Sequence, residues 1–84
     1  MLDLVLKRVD GIWVKELKFE NGDFARFFRI PLGWNTSCVR VKCYVKGECR
    51  HECIVGSDFN ALTPLRAYLI ARAICPYFQD HFHN

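Results

Sequence analysis

The stretch SCVRVKCYVKGECRHECIV, Ser37 to Val55, decides how the rest of the chain is read, because it holds four of the five cysteines and one of the three histidines. Side chains along a strand alternate between the two faces of a sheet. A three-residue loop of Val45, Lys46 and Gly47, with Gly47 in the left-handed region, predicts a hairpin in which Tyr44 faces Glu48, Cys43 faces Cys49, Val41 faces His51 and Val39 faces Cys53. Val39, Val41, Cys43, Cys49, His51, Cys53 and Val55 then share an apolar face. Arg40, Lys42, Tyr44, Glu48, Arg50 and Glu52 share a charged one, with Cys38 on that outer side. A two-residue loop at Lys46 and Gly47 would set Cys43 opposite Arg50 and Val41 opposite Glu52, mixing the faces, so the longer loop is expected.

Upstream, Leu2 to Val9 and IWVKELKF read as a second hairpin joined by Asp10-Gly11, a strong two-residue turn signal. Pairing Val9 with Ile12 sets Leu2 opposite Phe19, Leu4 opposite Leu17, Leu6 opposite Lys15 and Arg8 opposite Trp13, with Asp3–Lys18 and Val5–Glu16 on the other face. An Asn21-Gly22 turn then puts Phe24 opposite Phe19, Phe28 opposite Lys15 and Ile30 opposite Trp13. Arg26 and Phe27 break that pattern, and the run from Phe24 to Ile30 is read as a strand with a helical turn as the alternative. Downstream, Thr63 and Pro64 are N-cap and first-turn residues for a helix over LRAYLIARAIC that ends or kinks at Pro76. The expected fold is α+β: an antiparallel meander of about five strands with one C-terminal helix packed on its apolar face, residues 1–84 forming one small domain.

Eighty-four residues with 51 % apolar content can build one core, and no apolar stretch is long enough to cross a bilayer. The N-terminus lacks the pattern of a secretory signal, so a cytoplasmic location is expected, with free thiols rather than disulfides. On the same ground the triplet Asn35, Thr36, Ser37 is taken as a chance match to a glycosylation acceptor. The net charge of +3 permits an acidic partner without requiring one.

Four constellations carry chemistry. Cys43, Cys49, His51 and Cys53 are zinc-ligand types, but alternate residues of a strand lie about 6.8 Å apart, too far for a tetrahedral site without a knuckle; no metal or cofactor is expected, a zinc-stabilised interaction domain on these four being the further alternative. A Cys–His catalytic pair needs an exposed thiol and an orienting group, and these thiols point toward the core, so the chain is read as non-enzymatic. Arg40, Lys42, Arg50 and Tyr44, beside Phe27 and Arg29, suit a small nucleic-acid binder, yet Glu16, Glu48 and Glu52 share the face and would repel phosphate. The aromatic excess of Phe24, Phe27, Phe28, Trp34, Tyr77, Phe78 and Phe82 exceeds what one helix and a small sheet can hide, which points to a protein interface or to a larger core. The expected contact residues are Arg26, Phe27, Arg29, Trp34, Arg40, Lys42, Tyr44, Arg50, Tyr77, Phe78 and Phe82.

The run LTPLRAYLIA, with Pro64, Leu65, Arg66, Ala67 and Ile70, resembles the closing segment of small lambdoid-phage accessory proteins of the NinX type. That resemblance implies a phage origin and no enzymatic activity. A short, motif-poor, aromatic-rich chain is also similar in kind to phage anti-defence proteins that bind and inhibit host machinery. The expected function is therefore a protein-binding module, phage-encoded and located in the bacterial cytoplasm, that occludes a host protein. Edge strands leave homodimerisation open, and no membrane partner is expected.

Overall fold

A computed structural model describes residues 2–34 and 36–82, with only the backbone of Thr36; Asn35, which opens the chance acceptor triplet, and the end of the tail, His83 and Asn84, lie outside the described residues. The chain forms strands β1 (Asp3–Val9), β2 (Ile12–Lys18), β3 (Phe24–Gly33), β4 (Thr36–Val45) and β5 (Glu48–Val55), a 3-10 turn (Phe59–Ala61), and helices α1 (Pro64–Ile74) and α2 (Pro76–His81). The five strands make one antiparallel sheet in sequence order, and the helices cover one of its faces, as the hydrophobic pattern requires. Phe24 to Ile30 is strand throughout.

The β1–β2 register is the expected one, from Asp3–Lys18 through Leu4–Leu17 and Leu6–Lys15 to Val9–Ile12. Asp10 (φ 51°) and Gly11 (φ 80°) both occupy the left-handed region, which a tight hairpin turn of this hand demands.

Two expected registers are corrected. Between β2 and β3 the turn is not two residues wide: Phe19 through Asp23 form it, closed by Phe19 N–H donating to the Asp23 carbonyl at 3.0 Å and Gly22 N–H to that of Phe19 at 3.1 Å. Phe24 therefore pairs with Lys18 and Phe28 with Val14, one residue away from the expected partners. A one-residue slip exchanges the faces of a whole strand, which is why Phe27 enters the core while Arg26 and Phe28 face out. In the cysteine hairpin the loop is two residues, Lys46 (φ 53°) and Gly47 (φ 79°), and Val45 pairs with Glu48. A bulge then inserts Arg50, so Tyr44 meets Cys49 but Cys43 meets His51, Val41 meets Cys53 and Val39 meets Val55. The bulge restores the separation of faces that a plain two-residue loop would lose. Its one casualty is Cys49, which leaves the apolar face and is exposed.

The core joins Leu17, Ala25, Phe27, Val39, Val41, Cys43 and Val55 of the sheet to Phe59, Leu62, Ala67, Tyr68, Ala71, Phe78 and Phe82. Thr63 caps α1 by accepting from the Arg66 N–H at 3.3 Å, and Pro64 follows at the first turn. Pro76 stops α1 and starts α2, so the helical layer has two segments instead of one. Lys15, on the covered face, donates to the carbonyls of Phe59 at 2.7 Å and Leu62 at 3.2 Å and so ties the 3-10 turn to the sheet. The expectation of free thiols holds for Cys38, Cys43 and Cys49, whereas Cys53 and Cys75 form a disulfide. The reason is placement: the α1–α2 junction comes down over β5, bringing the two Cα atoms to 6.4 Å, within bridging range.

Candidate protein-binding surface

The residues considered for zinc are not brought together. Cys49 stands on the solvent side of the bulge, and Cys53 is bonded to Cys75. Cys43 is fully buried, and that burial, with the nearby Cys49, pushes its thiol up to about 12, so it stays protonated at neutral pH. His51 stacks on Tyr77 at 5.2 Å, and Tyr77 stacks on His81 at 3.9 Å, which places His51 at the rim of the core.

Three of the expected contact residues, Phe27, Phe78 and Phe82, are buried and unable to meet a partner. Phe78 and Phe82 pack on Phe19 and Tyr68 because α2 folds back over the end of the sheet where the β2–β3 turn lies. The alternative of a larger core is the correct account of these rings. Tyr77 remains half-buried in the His51 stack.

The outer face of the sheet is a closed network. Phe24 and Tyr44 stack at 4.8 Å, and the Arg26 guanidinium lies 5.1 Å and 4.8 Å from their ring centres. Arg26 Nε donates to Glu16 at 3.0 Å, and Lys7 lies 3.7 Å from the same carboxylate, which is 3 % exposed. Burial works against the Arg26 charge, but Glu16 and Tyr44 outweigh it and raise its pKa above the ordinary arginine value. Lys42 sits over Phe28 at 5.2 Å and pairs with Glu52 at 3.8 Å; Arg50 pairs with Glu48 at 2.8 Å. Arg40 borders a shallow groove of about 350 Å³ with Glu52, Cys53 and Ile54.

The opposite situation holds at the end of the sheet that carries the β1–β2 and β3–β4 turns. Trp34 is 95 % exposed, Leu32 62 %, Ile12 55 % and Trp13 52 %. Arg8 places its guanidinium 5.5 Å from the Trp13 ring centre, and Arg29 is exposed. Of this group only Trp34 and Arg29 stand out in the sequence as contact residues. The signal for the others lay in the topology, because alternate turns of a meander fall at the same end and so gather Ile12 and Trp13 with Leu32 and Trp34.

No protein-family model, curated protein or solved structure matches the chain. No helix among the described residues is long and apolar enough to cross a membrane.

Proposed function

We propose that this protein is a non-enzymatic binding module that docks the bare end of its sheet, Arg8, Ile12, Trp13, Arg29, Leu32 and Trp34, onto a partner protein. The observation that carries the reading is the near-complete exposure of Trp34 beside a half-exposed Trp13, Leu32 and Ile12. Tryptophan and arginine are the residue types that concentrate binding energy at protein interfaces, and large apolar side chains exposed together at one end of a sheet cost solubility unless something covers them. The module acts by occluding a surface of a host protein, the role suggested by the likeness in kind of a short, motif-poor, aromatic-rich chain to phage anti-defence proteins. The alternative, nucleic-acid binding on the outer face, has less support. Phe24 and Tyr44 already use their ring faces on each other and on Arg26, and Glu16 occupies the middle of that surface.

Affinity capture from bacterial lysate with the wild type, Trp34→Ala and Trp13→Ala tests the reading. A stoichiometric protein partner retained by the wild type and lost by both variants is expected. Recovery of no partner, or equal recovery by all three, overturns it.

A further inference from the structure

The sheet forks at its bare end. β2 and β3 pair only from Val14–Phe28 to Lys18–Phe24. Beyond that point Ile12 and Trp13 pair with β1 alone, and Arg29, Ile30, Pro31 and Gly33 pair with β4 alone, so each hairpin presents a backbone edge without a ladder partner. Pro31, which lacks an N–H, lies on this stretch of β3, where an unpaired side tolerates it. Edges of this kind are usually blunted with charge or covered. Arg29 and Pro31 blunt part of the β3 edge, and the rest of the fork is flanked by Ile12, Leu32, Trp13 and Trp34, all exposed.

The bare end carries two exposed arginines, Arg8 and Arg29, against one exposed acid, Asp10 of the β1–β2 turn. Arg26, Lys7, Lys42 and Arg50 of the outer face are each committed to a carboxylate. Among the described residues Arg8 meets the Trp13 ring and no carboxylate, and Arg29 has no ion-pair partner. Pairing in the two hairpins puts Arg8 opposite Trp13 and Arg29 opposite Val39, on the helix-bearing side of the sheet, beyond Lys15 and the 3-10 turn that it holds.

We propose that the fork receives an extended, acidic segment of the partner protein, its backbone adding to the open edge of β2 or β3, its carboxylates meeting Arg8 and Arg29 beside Trp13 on the helix-bearing side, and its alternate, apolar side chains meeting Ile12 on the outer side and Trp34 at the β3–β4 turn. The inference rests on the binding-module reading and adds the chemistry of what is bound. Strand addition supplies affinity through main-chain hydrogen bonds, and alternate side chains supply the selection. Cations around the edge then favour acidic partners over basic ones, mainly through encounter and register.

The test is selection from a displayed library of random dodecapeptides on the immobilised full-length protein, followed by titration of the winners against wild type, R8E/R29E, Trp13→Ala and Trp34→Ala. Thermal melts verify that each variant is folded. Selected peptides are expected to alternate Asp or Glu with apolar residues and to bind R8E/R29E roughly tenfold more weakly, the sum of two exposed ion pairs. Replacing their acids with lysine is expected to restore binding to R8E/R29E. Selected peptides without acidic enrichment that keep their affinity for R8E/R29E but lose it on Trp34→Ala overturn the acidic segment while leaving the binding module standing. Winners indifferent to both tryptophan variants overturn the two together. A thymidine oligonucleotide that binds more tightly than any selected peptide, or a library that yields no binder, also overturns the inference.

Discussion

The two ends of this sheet carry the same class of side chain and put it to opposite use. At the end beneath α2, Phe19, Tyr68, Phe78 and Phe82 close on one another with ring centres 4.6 to 6.4 Å apart. At the other end Trp13 and Trp34 stand in solvent. Composition does not separate them; the path of the last third of the chain does. Helices α1 and α2 return over the β2–β3 turn and stop there, and what they do not reach is left as surface.

The largest effect that checks this contrast is expected at the covered end. Phe78→Ala removes a fully buried ring from the centre of the cluster and should cost about 3–5 kcal/mol in urea unfolding, the range for truncating a core phenylalanine. A cost below about 1 kcal/mol would show that α2 is not part of the core.

Next comes the disulfide that pins α2's start to β5. With a sequence separation of 22, its loss in a Cys53→Ser, Cys75→Ser double variant should cost about 3 kcal/mol by loop entropy, read from the denaturant midpoint with and without reductant. If reductant leaves the wild-type midpoint unchanged, the bridge contributes nothing to the difference between the ends.

Lys15 marks the limit of the covered region. Lys15→Met keeps the alkyl stem but deletes the bonds to Phe59 and Leu62, for about 1–2 kcal/mol, and should loosen the 3-10 turn in hydrogen exchange without altering α2.

The effect of alkaline pH on the Cys43 thiol is confined to conditions above pH 9. Its pKa is raised by burial from 9.0 to about 12, so the stabilisation is complete below pH 9 and is lost as pH rises through 12. Below pH 9 iodoacetamide should modify exposed Cys49 and spare buried Cys43; equal rates would mean that the bulge does not hold the two thiols on opposite sides.

Trp34→Ala should move stability by no more than about 0.5 kcal/mol while abolishing partner capture. A large loss of stability would make Trp34 a core residue and erase the contrast.

Where local chemistry alone chose the geometry, the sequence was readable to the residue. Asp10-Gly11 set the first hairpin's register, and Thr63-Pro64 set the start of α1. Errors entered where two local signals competed. Asn21-Gly22 resembled a tight turn, but Phe19 through Asp23 close a wider one, and the extra width moved Phe27 from an awkward outward residue to the middle of the core. At Lys46-Gly47 the separation of faces points to a longer loop, whereas the chain keeps the two-residue loop and restores the separation with a bulge at Arg50. The Cys53–Cys75 bridge was invisible in sequence, since it depends on where a helix end comes to rest over a strand. The candidate site was half legible: Trp34 and Arg29 stood out by type, whereas Ile12, Trp13 and Leu32 belong to it only through the shared end of the meander.

The sequential order of the strands also bears on how the protein is made. Every strand pairs with the one synthesised just before it, so the sheet can assemble in step with translation, with short chain closures that favour fast folding. Phe27, Val39, Val41 and Val55 are nevertheless complete, aligned and uncovered until Phe59 through Phe82 emerges to shield them. For that interval the nascent chain displays a finished hydrophobic sheet, and the last third of the sequence works as a lid that arrives after the surface it protects.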